Sequence, residues 1–236
     1  MAHTWQPTAD TLTRDLAGVF RDRLLSVVVY GGQVDSNPAA ALHSLALVSS
    51  LTADDLGACA QLISEWTRGG IATPLILPDA EFRATLDVFP LEYGEIVRAH
   101  VLVYGANPFT DVVLSQRDLR LACEAQAMSH LLHLRQGYIQ TGGRLPAVAR
   151  LVAQSAPAFA ALLRNVGRLS GVQSTDRMDA TRQGATTAGL PMTTVDAILA
   201  LETPSALPAS DPARLFPDYL RAVEHLAAVV DQWRVS

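Results

Sequence analysis

Few side chains in this chain have the type and spacing to do chemistry. His43 stands at the entry to an apolar run, and an imidazole, which ordinarily titrates near neutral pH, can serve as a general base. Asp87 and Glu92, in the segment DVFPLEY, are the other two catalytic candidates. Gly31 and Gly32 end the β-branched run Val27-Val28-Val29, where a double glycine turns the backbone sharply and lets a ligand approach main-chain N–H groups. Arg117 and Arg120 fall near one face of a helical pattern that also carries Glu124, and guanidinium forks there could hold a phosphate bidentately. Gly31, Gly32, Arg117 and Arg120 therefore form the candidate ligand-binding set, for a nucleotide or another anionic small molecule. Each has a plainer reading beside this one: a strand-entry residue for His43, a tight turn for the glycines, a solvated helix face for the arginines.

Other chemistries are excluded or weakened. All 18 basic residues are arginine, so there is no lysine for a Schiff base, a P-loop or a general base. No G-x-S-x-G, H-E-x-x-H or Walker pattern occurs. His130 and His133, with Cys123 and Glu124 one or two turns earlier, share a helix. A zinc site draws paired ligands from two places in the chain, and the second pair is missing, so no metal site is assigned.

Composition sets the class. Hydrophobic residues make up 49% of the 236 and charged residues 17%, which is a core-forming chain and not a disordered one. A net charge of −5 argues against general nucleic-acid binding, which needs a basic surface. Cys59 and Cys123 lie within helical patterns and fit buried thiols in a reducing cytoplasm. The N-terminus shows no signal-peptide pattern, and no apolar run approaches the roughly 20 residues of a membrane helix.

Asp10 can cap a first helix carrying Leu12, Leu16, Val19 and Phe20, ending near Arg23. Strands are expected over 25–30, 45–48 and 71–77, with Pro74 marking the third as an edge or bulge. Thr52 and Asp55 resemble a capping box for a helix that stops at Gly69-Gly70. Residues 87–93 read as a further strand and 96–104 as another. After about residue 110 the period turns helical: 115–141 with the stripe Leu119, Cys123, Ala127, Leu131, Leu134 and Tyr138, a second helix from Pro146, a polar loop over 170–189, a short helix over 194–201, and a last one opened by Asp211-Pro212. The expected fold is α+β: a small mixed-sheet domain over 1–112, then an all-helical bundle over 113–236.

The stretches VVVYGG (27–32), HSLALV (43–48), DVFPLEY and RAHVLVYGANPF (98–109), followed by a helical bundle, resemble the nucleotidyltransferase superfamily, in its minimal and aminoglycoside-type members. The resemblance covers about the first half of the chain. It implies a Gly-Ser turn after the first strand, two aspartates one residue apart at the start of the second, and a third carboxylate further on, because two Mg²⁺ ions need a cluster of hard oxygen ligands. Here Gly32 stands in place of the serine. Leu42 and Ser44, flanking His43, take the aspartate positions, and residues 39–50 contain no Asp or Glu. Asp87 or Glu92 is left as the third carboxylate.

The sequence thus points to a nucleotidyltransferase-like protein that has lost metal-dependent catalysis and serves as a nucleotide- or anion-binding or assembly module, with a homodimer or a protein partner expected and no cofactor. The alternatives are an active nucleotidyltransferase using Mg²⁺ and NTP with a rearranged site of Asp35, Asp87 and Glu92, and an antitoxin-like partner protein.

Overall fold

The computed structural model describes residues 4–31, 34, 40–172, 174, 176–202 and 211–234. The fold is α+β, and the chain divides into two compact units, Met1–Ser115 and Gln116–Ser236, a few residues beyond the boundary expected from sequence. Gly32 and Asp35 lie outside the described residues.

The first unit is built on a four-stranded mixed sheet. Its strands are β1 (Leu24–Tyr30), β2 (His43–Val48), β3 (Leu75–Pro78) and β4 (His100–Gly105), in the order β3-β2-β1-β4. Central β1 runs antiparallel to β2 and β4, while β2 and β3 are parallel. Val27, Val28 and Val29 are fully buried, as an unbroken β-branched run should be when both faces of a strand are covered. Proline flanks β3, which takes the edge position that tolerates it.

Two helix layers cover the sheet. On one face α1 (Gln6–Phe20) and α2 (Ala53–Arg68) pack over Val27, Val29, Leu42, Ala46 and Val48. On the other, α3 (Asp79–Ala84) and α4 (Pro90–Arg98) supply Phe82, Tyr93 and Ile96 to a cluster with Val28, Leu45 and Leu47. Asp10 lies within α1 and does not cap it; Pro7, free to occupy a first turn where no N–H is needed, sets the start at Gln6. The Thr52–Asp55 capping box is present, and Arg23 clamps the same carboxylate with donors at 2.7 and 2.6 Å. That hydrogen bond above all, then the one from Thr52, holds the Asp55 carboxyl below the usual carboxylate range.

Residues 87–93 are not a strand. They form a turn and the first half of α4, and residues 96–98 complete that helix before β4 begins at His100. Pro90 sits in the first turn, and the buried set Pro90, Leu91, Tyr93, Gly94 and Ile96 follows a helical face that leaves Glu92 outside.

All regular structure described in the second unit is helical: α5 (Gln116–Thr141), α6 (Leu145–Leu169), α7 (Arg177–Thr187), α8 (Met192–Leu199) and α9 (Pro212–Asp231). By length and composition α6 is the one described helix that could cross a membrane; here it buries Val152, Phe159, Leu162, Leu163 and Val166 against α5, α7, α8 and α9. The expected loop over 170–189 contains α7. Its weak periodicity hides a packing rule: a Cβ added to Gly184 would lie 1.9 Å from the Leu163 carbonyl oxygen. The helix is held by close backbone approach to α6, not by an apolar stripe.

Candidate functional site

The end of β1 gathers the groups of most interest. Tyr30 is paired directly with His43 on β2 and with His100 on β4. Directly opposed residues project to the same face, so His43, Tyr30 and His100 form a row across three strands. The row continues the face that buries Val28 and Leu45, next to α4. The next residue, Gly31, has φ +69°, a left-handed conformation that suits glycine.

Each member of the row is held differently. The Tyr30 and His43 rings lie 5.9 Å apart at 33°, with His43 exposed and Tyr30 half-buried. Burial, and then the charge of Glu95 on α4, pushes the Tyr30 hydroxyl above its ordinary pKa, so it stays protonated at neutral pH. His100 Nδ1 lies 3.0 Å from the Ile96 carbonyl and 3.1 Å from that of Val97. Both partners only accept, so Nδ1 carries a proton and donates to them. The Phe109 ring meets His100 edge-on at 4.5 Å. The result is a polar–aromatic shelf with an exposed imidazole at one end, suited to stacking a planar ring and donating or accepting single hydrogen bonds.

The positions aligned with the missing aspartates do not reach this shelf. Leu42 and Ser44 are buried on the opposite face, Leu42 with Trp5, Ala9 and Val29, and the Ser44 hydroxyl has no hydrogen-bond partner among the described residues. A pair one residue apart on a strand must share a face. Moving the alignment by one residue selects His43 and Leu45, which again brings no carboxylate. Asp87 is exposed in the turn before α4, and Glu92 is exposed on the first turn of that helix. Among the described residues, no group of three His, Cys, Asp or Glu side chains could hold a metal ion.

The second unit's candidates are mostly engaged. Arg120 donates to the carbonyls of Trp233 (3.0 Å) and Asp231 (2.9 Å) at the end of α9 and pairs with Glu124 at 2.9 Å. It thereby satisfies carbonyls at a helix C-terminus, which leave the helix unpaired. Arg117 is exposed near the start of α5. His130 Nε2 lies 2.7 Å from the Tyr219 hydroxyl; burial, helped by His133, lowers its pKa to about 4. Burial likewise pushes the Cys123 thiol up to about 12, so it stays protonated. His133 Nδ1 faces the Ser129 carbonyl at 2.7 Å.

Sequence reading missed Tyr30, Glu95 and His100 as members of one site. Tyr30 could have been found, since it is the last strand residue before the glycines. Glu95 was hidden by reading 96–104 and the stretch before it as extended. An apolar groove of about 440 Å³ elsewhere in the unit, between α2 and β3, is lined by Leu56, Cys59, Ile63, Trp66 and Leu75, and burial pushes the Cys59 thiol above its ordinary pKa.

No family model and no curated protein matches the sequence. Among solved structures the chain is similar to the spectinomycin adenyltransferase AAD(9) from Enterococcus faecialis, solved with ATP and spectinomycin. The identity is 11% and the TM-score 0.47, over 92% of this chain and 98% of that one.

Proposed function

We propose that this chain is a nucleotidyltransferase-like protein that no longer performs metal-dependent transfer and instead binds a nucleotide, or a related anionic ligand with a planar ring, at the end of β1. One observation carries the loss of transfer: at the start of β2, one face offers buried Leu42 and Ser44 and the other offers His43 and Leu45, so neither presents a carboxylate. Mg²⁺ gives up its water shell reluctantly and needs several carboxylate or phosphate oxygens in one place. Asp87 and Glu92 are exposed on the turn and helix before β4, and among the described residues they belong to no group of three possible metal ligands.

The binding half of the proposal is supported by the row His43–Tyr30–His100, with the left-handed Gly31 beside it. The Tyr30 and His43 rings supply a stacking surface, and the glycine backbone supplies close approach. Calorimetric titration of the purified chain with ATP, GTP, CTP and UTP tests it, with and without Mg²⁺. Heat with at least one nucleotide, reduced tenfold or more in His43→Ala, is the expected result. Transfer of labelled nucleotide to a small hydroxyl compound, abolished in Asp87→Ala or Glu92→Ala, would overturn the loss of catalysis. No heat with any nucleotide would overturn the ligand and leave assembly as the role.

A further inference from the structure

The helix α5 has a second apolar stripe that its own unit does not cover. The buried side carries Leu119, Cys123, Ala127, Leu131 and Leu134. The other side carries Leu121, Ala125, Met128, Leu132, Arg135 and Ile139, spaced 4-3-4-3-4, the a/d repeat of a helix–helix seam. All six are exposed, with Leu121 at 46%, Met128 at 45%, Leu132 at 56% and Ile139 at 77%. Of the seven large apolar side chains that residues 116–236 leave exposed among those described, these are four, so the exposure is concentrated and not scattered.

We infer that this stripe is the contact through which two copies of the chain associate, α5 against α5 and antiparallel. The inference goes beyond the proposed ligand site and stands independently of it. A two-fold contact needs a surface complementary to itself. The stripe has that property: its spacing reads the same in both directions about residue 130, which sets Leu121 against Ile139 of the second copy and Met128 against Leu132. The remaining pair sets small Ala125 against long Arg135, whose guanidinium is tied back to Glu224 at 2.7 Å and whose aliphatic stem is left to pack. Charge agrees with this direction. Asp118 lies in the first turn of α5 and Arg144 just past its end, so antiparallel copies bring each acid towards the other copy's base and oppose the helix dipoles favourably. A parallel pair would stack Arg135 on Arg135. From Leu121 to Ile139 the seam is about 27 Å long. One helix pair of that length buries less than the roughly 800 Å² per partner of a standard interface, so the dimer is a concentration-dependent one.

Sedimentation velocity of the full chain across a hundredfold range of concentration, on wild type and Leu132→Glu, reads this directly. The wild type is expected to shift from monomer to dimer, and Leu132→Glu to weaken the dimer tenfold or more, with an unchanged thermal midpoint at the dilute, monomeric end of the range, since the side chain is exposed. A mixture of Leu121→Cys and Ile139→Cys proteins should cross-link to each other on oxidation, while neither cross-links to itself. That second arm holds even if the glutamate variant fails to fold. A chain monomeric throughout, a dimer indifferent to Leu132→Glu, or cross-links only between like variants would each overturn the inference.

Discussion

Both units contain a tyrosine paired with a histidine, and the two pairs are used in opposite ways. In the bundle, His130 and Tyr219 have ring centroids 6.1 Å apart, share a 2.7 Å hydrogen bond and lie against Phe159, with Tyr219 wholly buried. At the sheet end, Tyr30 and His43 have almost the same ring separation, 5.9 Å, but His43 is exposed. Burial fixes the first pair as structure: the imidazole is held neutral and the hydroxyl is held protonated, each satisfying the other. The second pair keeps its hydrogen-bonding capacity on the solvent side. Residue type alone therefore says little about function here; the surroundings decide whether a polar pair stabilises the fold or is available to a ligand.

The contrast predicts unequal responses to mutation, beginning with one backbone position in each unit. Gly184→Ala forces a Cβ to 1.9 Å from the Leu163 carbonyl oxygen, so α6 and α7 must separate, at a cost on the order of 4 kcal/mol in urea unfolding. Gly31→Ala meets only the His43 ring at 3.9 Å and costs about 1 kcal/mol, for its left-handed φ of +69°. Equal losses at the two glycines would erase the distinction between a packed and an open region.

Acid should act on the bundle pair next. His130 has its pKa lowered from 6.5 to about 4 in the folded chain, because burial disfavours the imidazolium. The unfolded chain takes up this proton below its own pKa while the folded chain does not, so the stability is present above about pH 6.5 and falls towards about pH 4, by about 3 kcal/mol in all. Urea midpoints between pH 7.5 and 4.5 should show this slope in wild type and lose it in His130→Gln. Asp55, whose unfolded value is 3.8, keeps its contribution throughout that window and loses it only at lower pH, so it adds no slope there.

Smaller effects separate the two tyrosine–histidine pairs directly. Tyr219→Phe leaves His130 Nε2 without its partner and should cost about 2 kcal/mol. His43→Ala, on an exposed side chain, should change stability by no more than about 0.5 kcal/mol while removing ligand heat in calorimetry. A large stability loss in His43→Ala would make the sheet-end pair structural as well.

How much of this was legible beforehand depends on which force shaped each element. β1, the Thr52–Asp55 box, the Asp211 cap of α9 and the buried stripe of α5 from Leu119 to Leu134 were readable, because each is written in neighbouring residues, whereas Tyr138, expected to continue that stripe, is exposed. The stretch 87–93 was misread because a short apolar run with a proline fits an edge strand as well as a helix start. The helix α7 was missed because glycine and polar residues weaken the local signal, and only the α6 backbone beside Gly184 explains it. Arg120 looked like a free phosphate clamp because nothing local reveals that α9 ends within its reach.

The amino-acid order alone determined the α+β character, the absence of any lysine chemistry and the lack of acidic residues from 39 to 50, since these are matters of composition, period and spacing. Only the tertiary structure decided that His43, Tyr30 and His100 share one shelf, that Leu42 and Ser44 turn away from it, and that His130 is sealed by Tyr219. Strand pairing and burial join residues tens of positions apart, and the free energy of a polar side chain depends on those neighbours far more than on the ones beside it in the chain.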